Sequence, residues 1–361
     1  LRDVGKALGL TEDTIKMLSG QVWGWSRTGI EDKHAADLNM NLGDRRLRLA
    51  LELARALIGT PRHLSQHPGG FVLTHDRLDD LVPIEPATMV DRRVIEWEKD
   101  DLEELRIMKV DILGLGMLGC MRRAFDLLAS HKQVAMNLWS PQLQEDDPAV
   151  YDMICKADTL GVFQIESRAQ MQSLLQTRPE SLDDLTVQVA LIRPGPVSGG
   201  AVHPYVRHRR ALRADPSFTP PYDHPLLEEC LRETLGVVVF QEQVLEVAMA
   251  LAGFSPGQAE ALRRAMSRKR SREAMIALWR EFRDGARARG VDDDTIRLVF
   301  TKLIGFSNFG FPKAHSSAFA VLAYQSAWLR QRYPAEFLAA LLNAQPMGFC
   351  PPASLVRDAQ R

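Results

Sequence analysis

The stretch that decides the fold is Leu105–Gly116, which reads LRIMKVDILGLG. If it forms a β-strand, the two-residue period places Lys109 and Asp111 on one face and the neighbouring aliphatic residues on the other. A carboxylate in an otherwise apolar strand needs a partner, a proton or a metal ion. Lys109 can be that partner, or it can bind a phosphate group while Asp111 binds a divalent ion. Taken alone, the stretch favours a simple ion pair on an edge strand.

The composition is that of an ordinary globular protein. Its 361 residues are enough for two or three domains, and the net charge of −1 provides no overall field to attract nucleic acid. Four cysteines without CxxC spacing argue against a zinc site or a disulfide framework and favour a reducing cytosol. No run of about 18 apolar residues indicates a membrane span. Since Leu1 is not an initiator methionine, we expect an internal fragment.

Hydrophobic patterns predict an α+β fold that is mostly α-helical. Residues 1–60 are predicted to be helical, and residues 61–118 to form short strands of a small sheet. Residues 119–361 are predicted to be mainly helical. Within them, the apolar runs Leu160–Ile165 and Leu235–Phe240 are interpreted as buried strands.

Three histidines raise the question of a metal site in the predicted sheet region. His63 and His67 have the i,i+4 spacing that suits zinc on a helix, and His75 follows. The Pro-Gly-Gly sequence after His67 breaks any such helix, and no third ligand is suitably spaced. A metal role is therefore not predicted for these histidines.

A pair of predicted helices carries the largest excess of positive charge. The first, Gln241–Ala252, is closed by Gly253, and Ser255 with Gln258 forms a capping box for the second. Residues 263–289 contain ten Lys or Arg and three acids. That excess suits a polyphosphate or a nucleic-acid backbone, but it also suits a solvated surface, and composition leaves both interpretations open.

Other basic residues fall in predicted loops and helix ends. A basic edge before a proline-rich loop consists of Arg207, Arg209, Arg210 and Arg213. Arg193 precedes a Pro-Gly-Pro sequence that forces a rigid turn. Lys313 and His315 are predicted to lie in a loop before a helix that is capped by Ser316 or Ser317.

Several motifs resemble those of the bacterial C-family DNA polymerases, the DNA polymerase III alpha subunits. KVDILGL, residues 109–115, is similar to the third acidic motif of that family. The other motifs are TLGVFQIESR (159–168), LIRPGP (191–196), VFQEQV (239–244), LRRAM (262–266) and GFPKAH (310–315). They follow the family order from about residue 66 onward, so the chain is identified as a member of this family.

The resemblance implies roles for individual residues. Asp111 would be a palm carboxylate that binds the two catalytic Mg²⁺ ions, with Lys109 beside it as a second catalytic residue. Arg263 and Arg264 match the arginine pair that contacts the triphosphate of the incoming nucleotide. Further nucleotide contacts are expected from Arg268, Lys269, Lys313 and His315. DNA contacts are expected from Arg193, Arg207, Arg209 and Arg210.

The resemblance also implies a domain order and a biological setting. Residues 1–60 would belong to a thumb, residues 61–118 to the end of a mixed-sheet, nucleotidyltransferase-like palm, and residues 119–361 to large helical fingers that are truncated C-terminally. Pro312 and the stretch 343–349 resemble the error-prone, damage-induced (ImuC-type) branch, which implies translesion synthesis at the bacterial nucleoid, in the cytoplasm. Primer-template DNA and deoxynucleoside triphosphates are the expected partners. A sliding clamp and mutagenesis accessory proteins would bind regions outside this chain.

Two further palm acids of the family, in an Asp-x-Asp motif, have no match upstream of Asp111. We therefore expect that the isolated chain does not extend primers. The alternative is a non-catalytic DNA-binding module that uses its basic helix to hold a backbone. A small-molecule phosphotransferase is not supported, because no GxxxxGK[ST] loop occurs.

Overall fold

The computed structural model describes residues 1–20, 38, 40, 41, 43–60, 67, 69–192, 204–267, 272–307, 310–348 and 350–360. The chain divides into two compact units, Leu1–Leu113 and Gly114–Arg361. Each unit has its own helices and its own apolar core.

The first unit begins with three helices. They are α1, Arg2–Ala7; α2, Glu12–Gly20; and α3, Arg45–Ala56. The side chains of Thr11 and Asp44 accept backbone N–H groups in the first turns of α2 and α3, so both helices have capped starts. Leu18, Leu47 and Leu51 are buried together and pack α2 against α3.

Two antiparallel strand pairs complete the first unit. The strands are β1, Gly70–Leu73; β2, Ile84–Pro86; β3, Arg93–Ile95; and β4, Met108–Asp111, which follows helix α4, Lys99–Glu104. β1 pairs with β4, and β2 pairs with β3. The strand predicted around Asp111 is therefore present. The described strands show only antiparallel pairing, so the larger mixed sheet stays a prediction.

The second unit is almost entirely helical, which confirms the mostly α class. Its first helices are α5, Leu115–Leu127; α6, Pro148–Cys155; α7, Arg168–Thr177; α8, Leu182–Leu191; α9, Pro204–Ala214; and α10, Glu228–Leu231. The later ones are α11, Gln241–Ala252; α12, Pro256–Ser267; α13, Arg272–Ala288; α14, Asp293–Ser307; α15, Lys313–Arg332; α16, Pro334–Asn343; and α17, Pro352–Ala359. Within the described ranges, every helix is too short or too polar to span a lipid bilayer.

The helices of the second unit pack around two large cores. The first core joins α5, α6, α8, α15 and α16 around buried residues such as Ile154 and Leu329. The second joins α11 to α14 around Leu262 and Phe282. α13 approaches α11 so closely that a Cβ at Gly285 would be 2.1 Å from the Ala252 carbonyl oxygen, so only glycine fits there.

The junction between α11 and α12 follows the prediction. Gly253 ends α11 with a φ of 69°, in the left-handed region that favours glycine. Gln258 Oε1 then accepts the Ser255 N–H at 2.9 Å, and Ser255 Oγ accepts the Gln258 N–H at 3.4 Å. This capping box sets the start of α12, and burial of Leu262 in the second core fixes which face of α12 points inward.

Two predicted strands are wrong. Leu160–Ile165 forms successive turns, although Val162 and Ile165 have no exposed surface. Leu235–Phe240 is irregular, with one isolated bridge at Phe240. The apolar runs indicated burial correctly, but a buried segment need not pair with a neighbouring strand when helices supply the packing.

α15 begins earlier than predicted. It starts at Lys313 directly after Pro312, so Lys313 and His315 lie in its first turn rather than in a preceding loop. Ser316 is not its cap, because the Ser316 hydroxyl is buried and donates a hydrogen bond to the Thr186 carbonyl at 2.5 Å. That contact ties α15 to α8.

Candidate functional site

Asp111 lies at the end of β4, opposite Gly70, and Lys109 lies opposite Val72. Because Lys109 and Asp111 are two residues apart in a strand, their side chains share one face. Lys109 Nζ is 3.0 Å from Asp111 Oδ1, and the two side chains remain 30% and 43% exposed. The ion pair predicted from the sequence is formed, and the carboxylate is open to solvent rather than buried under aliphatic residues.

His67 is a third side chain close to this carboxylate. Its Nδ1 accepts the Gly69 N–H at 3.3 Å and lies 3.9 Å from Asp111 Oδ1. Gly70 leaves the space for this arrangement, because a Cβ there would be 2.9 Å from both His67 Nδ1 and Lys109 Cε. The sequence did not predict a role for His67 here. The glycine pair two and three residues after it was the signal for a close approach.

The chemistry of Asp111 fits one ligand of a divalent-ion site. Mg²⁺ prefers oxygen ligands and is usually bound by one or two carboxylates, water and substrate phosphates. Among the residues that the structure describes, no three His, Cys, Asp or Glu side chains are grouped to hold an ion. Asp111 can therefore supply one ligand to a larger site, and in doing so it would exchange the Lys109 ammonium for the metal ion.

The two arginines predicted to bind a triphosphate lie on α12 and share one carboxylate. Arg263 Nε and Nη2 donate to Glu260 Oε2 and Oε1 at 2.8 and 2.7 Å. Arg264 Nε donates to Glu260 Oε1 at 2.8 Å. The side chains are 33% exposed for Glu260, 31% for Arg263 and 55% for Arg264, so the cluster faces solvent.

Glu260 changes the electrostatics of the arginine pair. The hydrogen bonds from Arg263, with those from Arg264 adding to them, lower the pKa of Glu260 to about 2. Glu260 is therefore ionised at neutral pH, and the three side chains together carry one positive charge. Glu260 was not among the residues predicted from the sequence, although its i,i+3 and i,i+4 spacing to the arginines predicts this contact on a helix.

The other predicted nucleotide contacts have mixed outcomes. Arg268 and Lys269 lie outside the described residues. Lys313 Nζ is 2.5 Å from Glu233 Oε2, and its backbone N–H donates to Glu242 Oε2 at 2.9 Å. The Lys313 ammonium is thus already paired with an acid. His315 packs against the rings of Phe311 and Phe319, with centroids 5.1 and 4.2 Å away.

The predicted DNA contacts on α9 separate into two kinds. Arg209 Nη2 is 2.6 Å from Asp184 Oδ2 on α8, and these side chains are only 14% and 19% exposed. Arg207 and Arg210 are exposed on the surface of α9. Arg209 is therefore held in a contact between helices, whereas its two neighbours face solvent. Arg193 lies outside the described residues.

Family models match both units of the chain. Residues 1–114 match the model described as the bacterial DNA polymerase III alpha NTPase domain. Residues 117–290 match the model described as the bacterial DNA polymerase III alpha subunit finger domain. The first match includes Asp111, and the second includes α9 and α12 with their arginines.

Bacterial error-prone DNA polymerases are similar to the chain along its whole length. Error-prone DNA polymerase 1 of Agrobacterium fabrum and the error-prone DNA polymerase of Allorhizobium ampelinum are each 51% identical to it over 360 residues. The error-prone DNA polymerase of Ruegeria pomeroyi is 47% identical over 360 residues. In each case the alignment covers 100% of this chain and 32% of the relative. The chain thus spans about a third of the length of these relatives.

Proposed function

Because the chain belongs to the bacterial DNA polymerase III alpha subunit family, we propose that it is part of an error-prone, DNA-directed DNA polymerase. The longer enzyme transfers deoxynucleotides to a primer in translesion synthesis after DNA damage. One observation supports the proposal most directly. The Asp111 carboxylate is 43% exposed on a strand face, and its cationic neighbour, the Lys109 ammonium 3.0 Å away, is a group that a metal ion can replace.

The reaction joins the primer 3′-hydroxyl oxygen to the α-phosphorus of a deoxynucleoside triphosphate, and the bond to pyrophosphate breaks. Two Mg²⁺ ions, when bound, lower the pKa of the hydroxyl and stabilise the charge of the leaving group. Asp111 would be one of their ligands. Lys109, released from Asp111, would offset part of the negative charge of the triphosphate. Arg263 and Arg264 would bind its phosphate oxygens through their planar, permanently charged guanidinium groups.

We assign the remaining surfaces to DNA. Arg207 and Arg210 on α9 contact the phosphate backbone of the primer-template without reading its sequence. Residues 1–60 act as part of the thumb, 61–118 as the end of the palm and 119–361 as fingers. A sliding clamp and mutagenesis accessory proteins bind parts of the longer enzyme that lie outside this chain. The longer enzyme works in the bacterial cytoplasm, at the nucleoid.

The test of the proposal is Asp111→Asn in a full-length polymerase that contains this chain. Synthesis by primer extension with Mg²⁺ is expected to fall on the order of 1,000-fold, because the metal loses a charged ligand, while DNA affinity stays within about twofold. Asp80→Asn, which removes an exposed acid from the same unit, is the matched control and keeps its activity. If Asp111→Asn synthesises DNA normally, the polymerase role of Asp111 is wrong and the non-catalytic DNA-binding module is favoured.

A second measurement concerns the isolated chain. Since the described residues include no group of three His, Cys, Asp or Glu side chains that could hold a metal ion, we expect no primer extension by the chain alone, although it should bind DNA. Robust Mg²⁺-dependent extension by the isolated chain would contradict the proposal that palm acids elsewhere in the enzyme are required.

A further inference from the structure

We propose that the Glu260 carboxylate occupies the phosphate-binding groups of Arg263 and Arg264 until a nucleotide displaces it. The inference rests on the proposed function, because it concerns how the same arginines take up a triphosphate. Glu260 thereby sets the affinity of the enzyme for its nucleotide, without contacting the reacting atoms.

The geometry of the cluster supports displacement. Glu260 binds Arg263 through both Nε and Nη2, at 2.8 and 2.7 Å, which is the edge that a guanidinium presents to a phosphate group. Glu260 Oε1 also accepts a hydrogen bond from Arg264 Nε at 2.8 Å. The oxygens of a triphosphate need these same donors, so the carboxylate and a phosphate group cannot bind that edge of Arg263 together.

Exposure and charge make the exchange feasible. The three side chains are about one third to one half exposed, so the Glu260 carboxylate can turn into water without being left buried and unpaired. A triphosphate carries several negative charges, whereas Glu260 carries one. The nucleotide therefore replaces an anion of lower charge at the same guanidinium groups.

The experiment measures binding of Mg-dATP, by calorimetry, to a full-length polymerase that contains this chain. Glu260→Gln removes the competing charge and is expected to lower the Kd roughly three- to fivefold, which lies within the range expected for loss of one exposed ion pair. Glu260→Asp keeps the charge and should restore a Kd within about twofold of the original. Glu228→Gln is the matched control, because it removes a carboxylate from another exposed Arg–Glu pair, with Arg232, and should leave the Kd unchanged.

A spectroscopic measurement on the unaltered chain keeps the inference testable if Glu260→Gln does not fold. On saturation with Mg-dATP, the ¹³Cδ resonance of Glu260 should shift as its hydrogen bonds to Arg263 break. The corresponding resonance of Glu228 should not shift. An unmoved Glu260 resonance in the saturated chain would overturn the inference.

The outcomes separate this inference from the proposed function. If Arg263→Gln weakens binding while Glu260→Gln binds as the original chain does, or more weakly, Glu260 is only a surface ion pair and the inference fails alone. If Arg263→Gln and Arg264→Gln both leave the Kd unchanged, or no variant binds Mg-dATP, then the arginines do not bind the triphosphate. In that case the proposed role of the arginines and the inference fail together.

Discussion

α9 and α12 are both arginine-rich helices of the second unit, yet their arginines have different kinds of partner. Arg209 of α9 pairs with Asp184 of a different helix, α8, and both side chains are largely buried. Arg263 and Arg264 of α12 pair with Glu260 of the same helix, and all three side chains are substantially exposed. The first contact holds the fold together, whereas the second can open without disturbing it.

The difference shows that a count of positive charges does not identify phosphate-binding residues. An ion pair between two helices that is shielded from water is costly to break, because the remaining partner stays buried and unpaired. An exposed pair within one helix contributes little to stability and leaves its groups able to bind a ligand. Loss of the buried arginine of α9 should therefore mainly lower stability, whereas loss of an exposed arginine of α12 should mainly weaken ligand binding.

The largest effect expected from this difference between the two helices is on stability at α9. Arg209→Ala should lower the free energy of unfolding by about 3 kcal/mol, because it leaves Asp184 charged and largely buried without its partner. Urea denaturation followed by circular dichroism measures this change. Arg210→Ala, on the exposed side of the same helix, is the control and should change stability by less than about 0.5 kcal/mol. An equal loss of unfolding free energy in the two variants would show that the buried Arg209 contributes no more to stability than the exposed Arg210.

The sequence predicted the position of α12 well, and it did so through local chemistry. Gly253 and Ser255 specify where one helix stops and the next begins, because a left-handed turn and a capping box depend only on neighbouring residues. The pairing of Arg209 with Asp184 was not predictable in this way. It depends on how α8 and α9 pack, and 25 residues separate the two partners.

The next effect in size concerns nucleotide binding at α12. Arg263→Gln should weaken binding of Mg-dATP roughly 30-fold, about 2 kcal/mol, because it removes charge-assisted hydrogen bonds to phosphate oxygens. Calorimetry on the folded variant provides the measurement. Arg280→Gln on α13 removes the same charge from an exposed position and should change the Kd by less than about twofold. If both variants weaken binding alike, the effect is one of general charge and not of a defined site.

A smaller effect follows from the lowered pKa of Glu260. Its pKa falls from 4.5 to about 2 through the Arg263 and Arg264 hydrogen bonds, so the folded state is stabilised above pH 4.5 and loses this stabilisation as the pH falls through about 2. Because the group is one third exposed, the contribution is about 1 kcal/mol. Glu260→Gln should therefore be less stable than the original chain at pH 7, and the difference should shrink between pH 4.5 and pH 3. If the stability difference between the two proteins stays constant over that pH range, the ion pairs of Glu260 are not its cause.

The wrong predictions from the sequence concern segments whose structure depends on residues distant in the chain. Lys313 was expected in a loop, but Glu242 on α11 accepts its backbone N–H and so allows α15 to begin at this residue. The acid is 71 residues away, and no local capping signal reveals it. Similarly, the sequence indicated that Val162 and Ile165 are buried, but it did not indicate that their segment forms turns instead of a strand.

The smallest expected effect is at the exposed arginines of α9. Arg210→Gln should weaken binding of primer-template DNA only about twofold at physiological salt, because each phosphate contact contributes a small, screened share of the affinity. The clearer signature is the salt dependence. The slope of log Kd against log salt should fall by about one for each arginine–phosphate ion pair that a variant removes, so by about two for Arg207→Gln combined with Arg210→Gln. Arg297→Gln, an exposed arginine on α14, should leave the slope unchanged. An unchanged slope in the double variant would mean that α9 serves only the fold, through Arg209, and that the DNA contacts lie elsewhere.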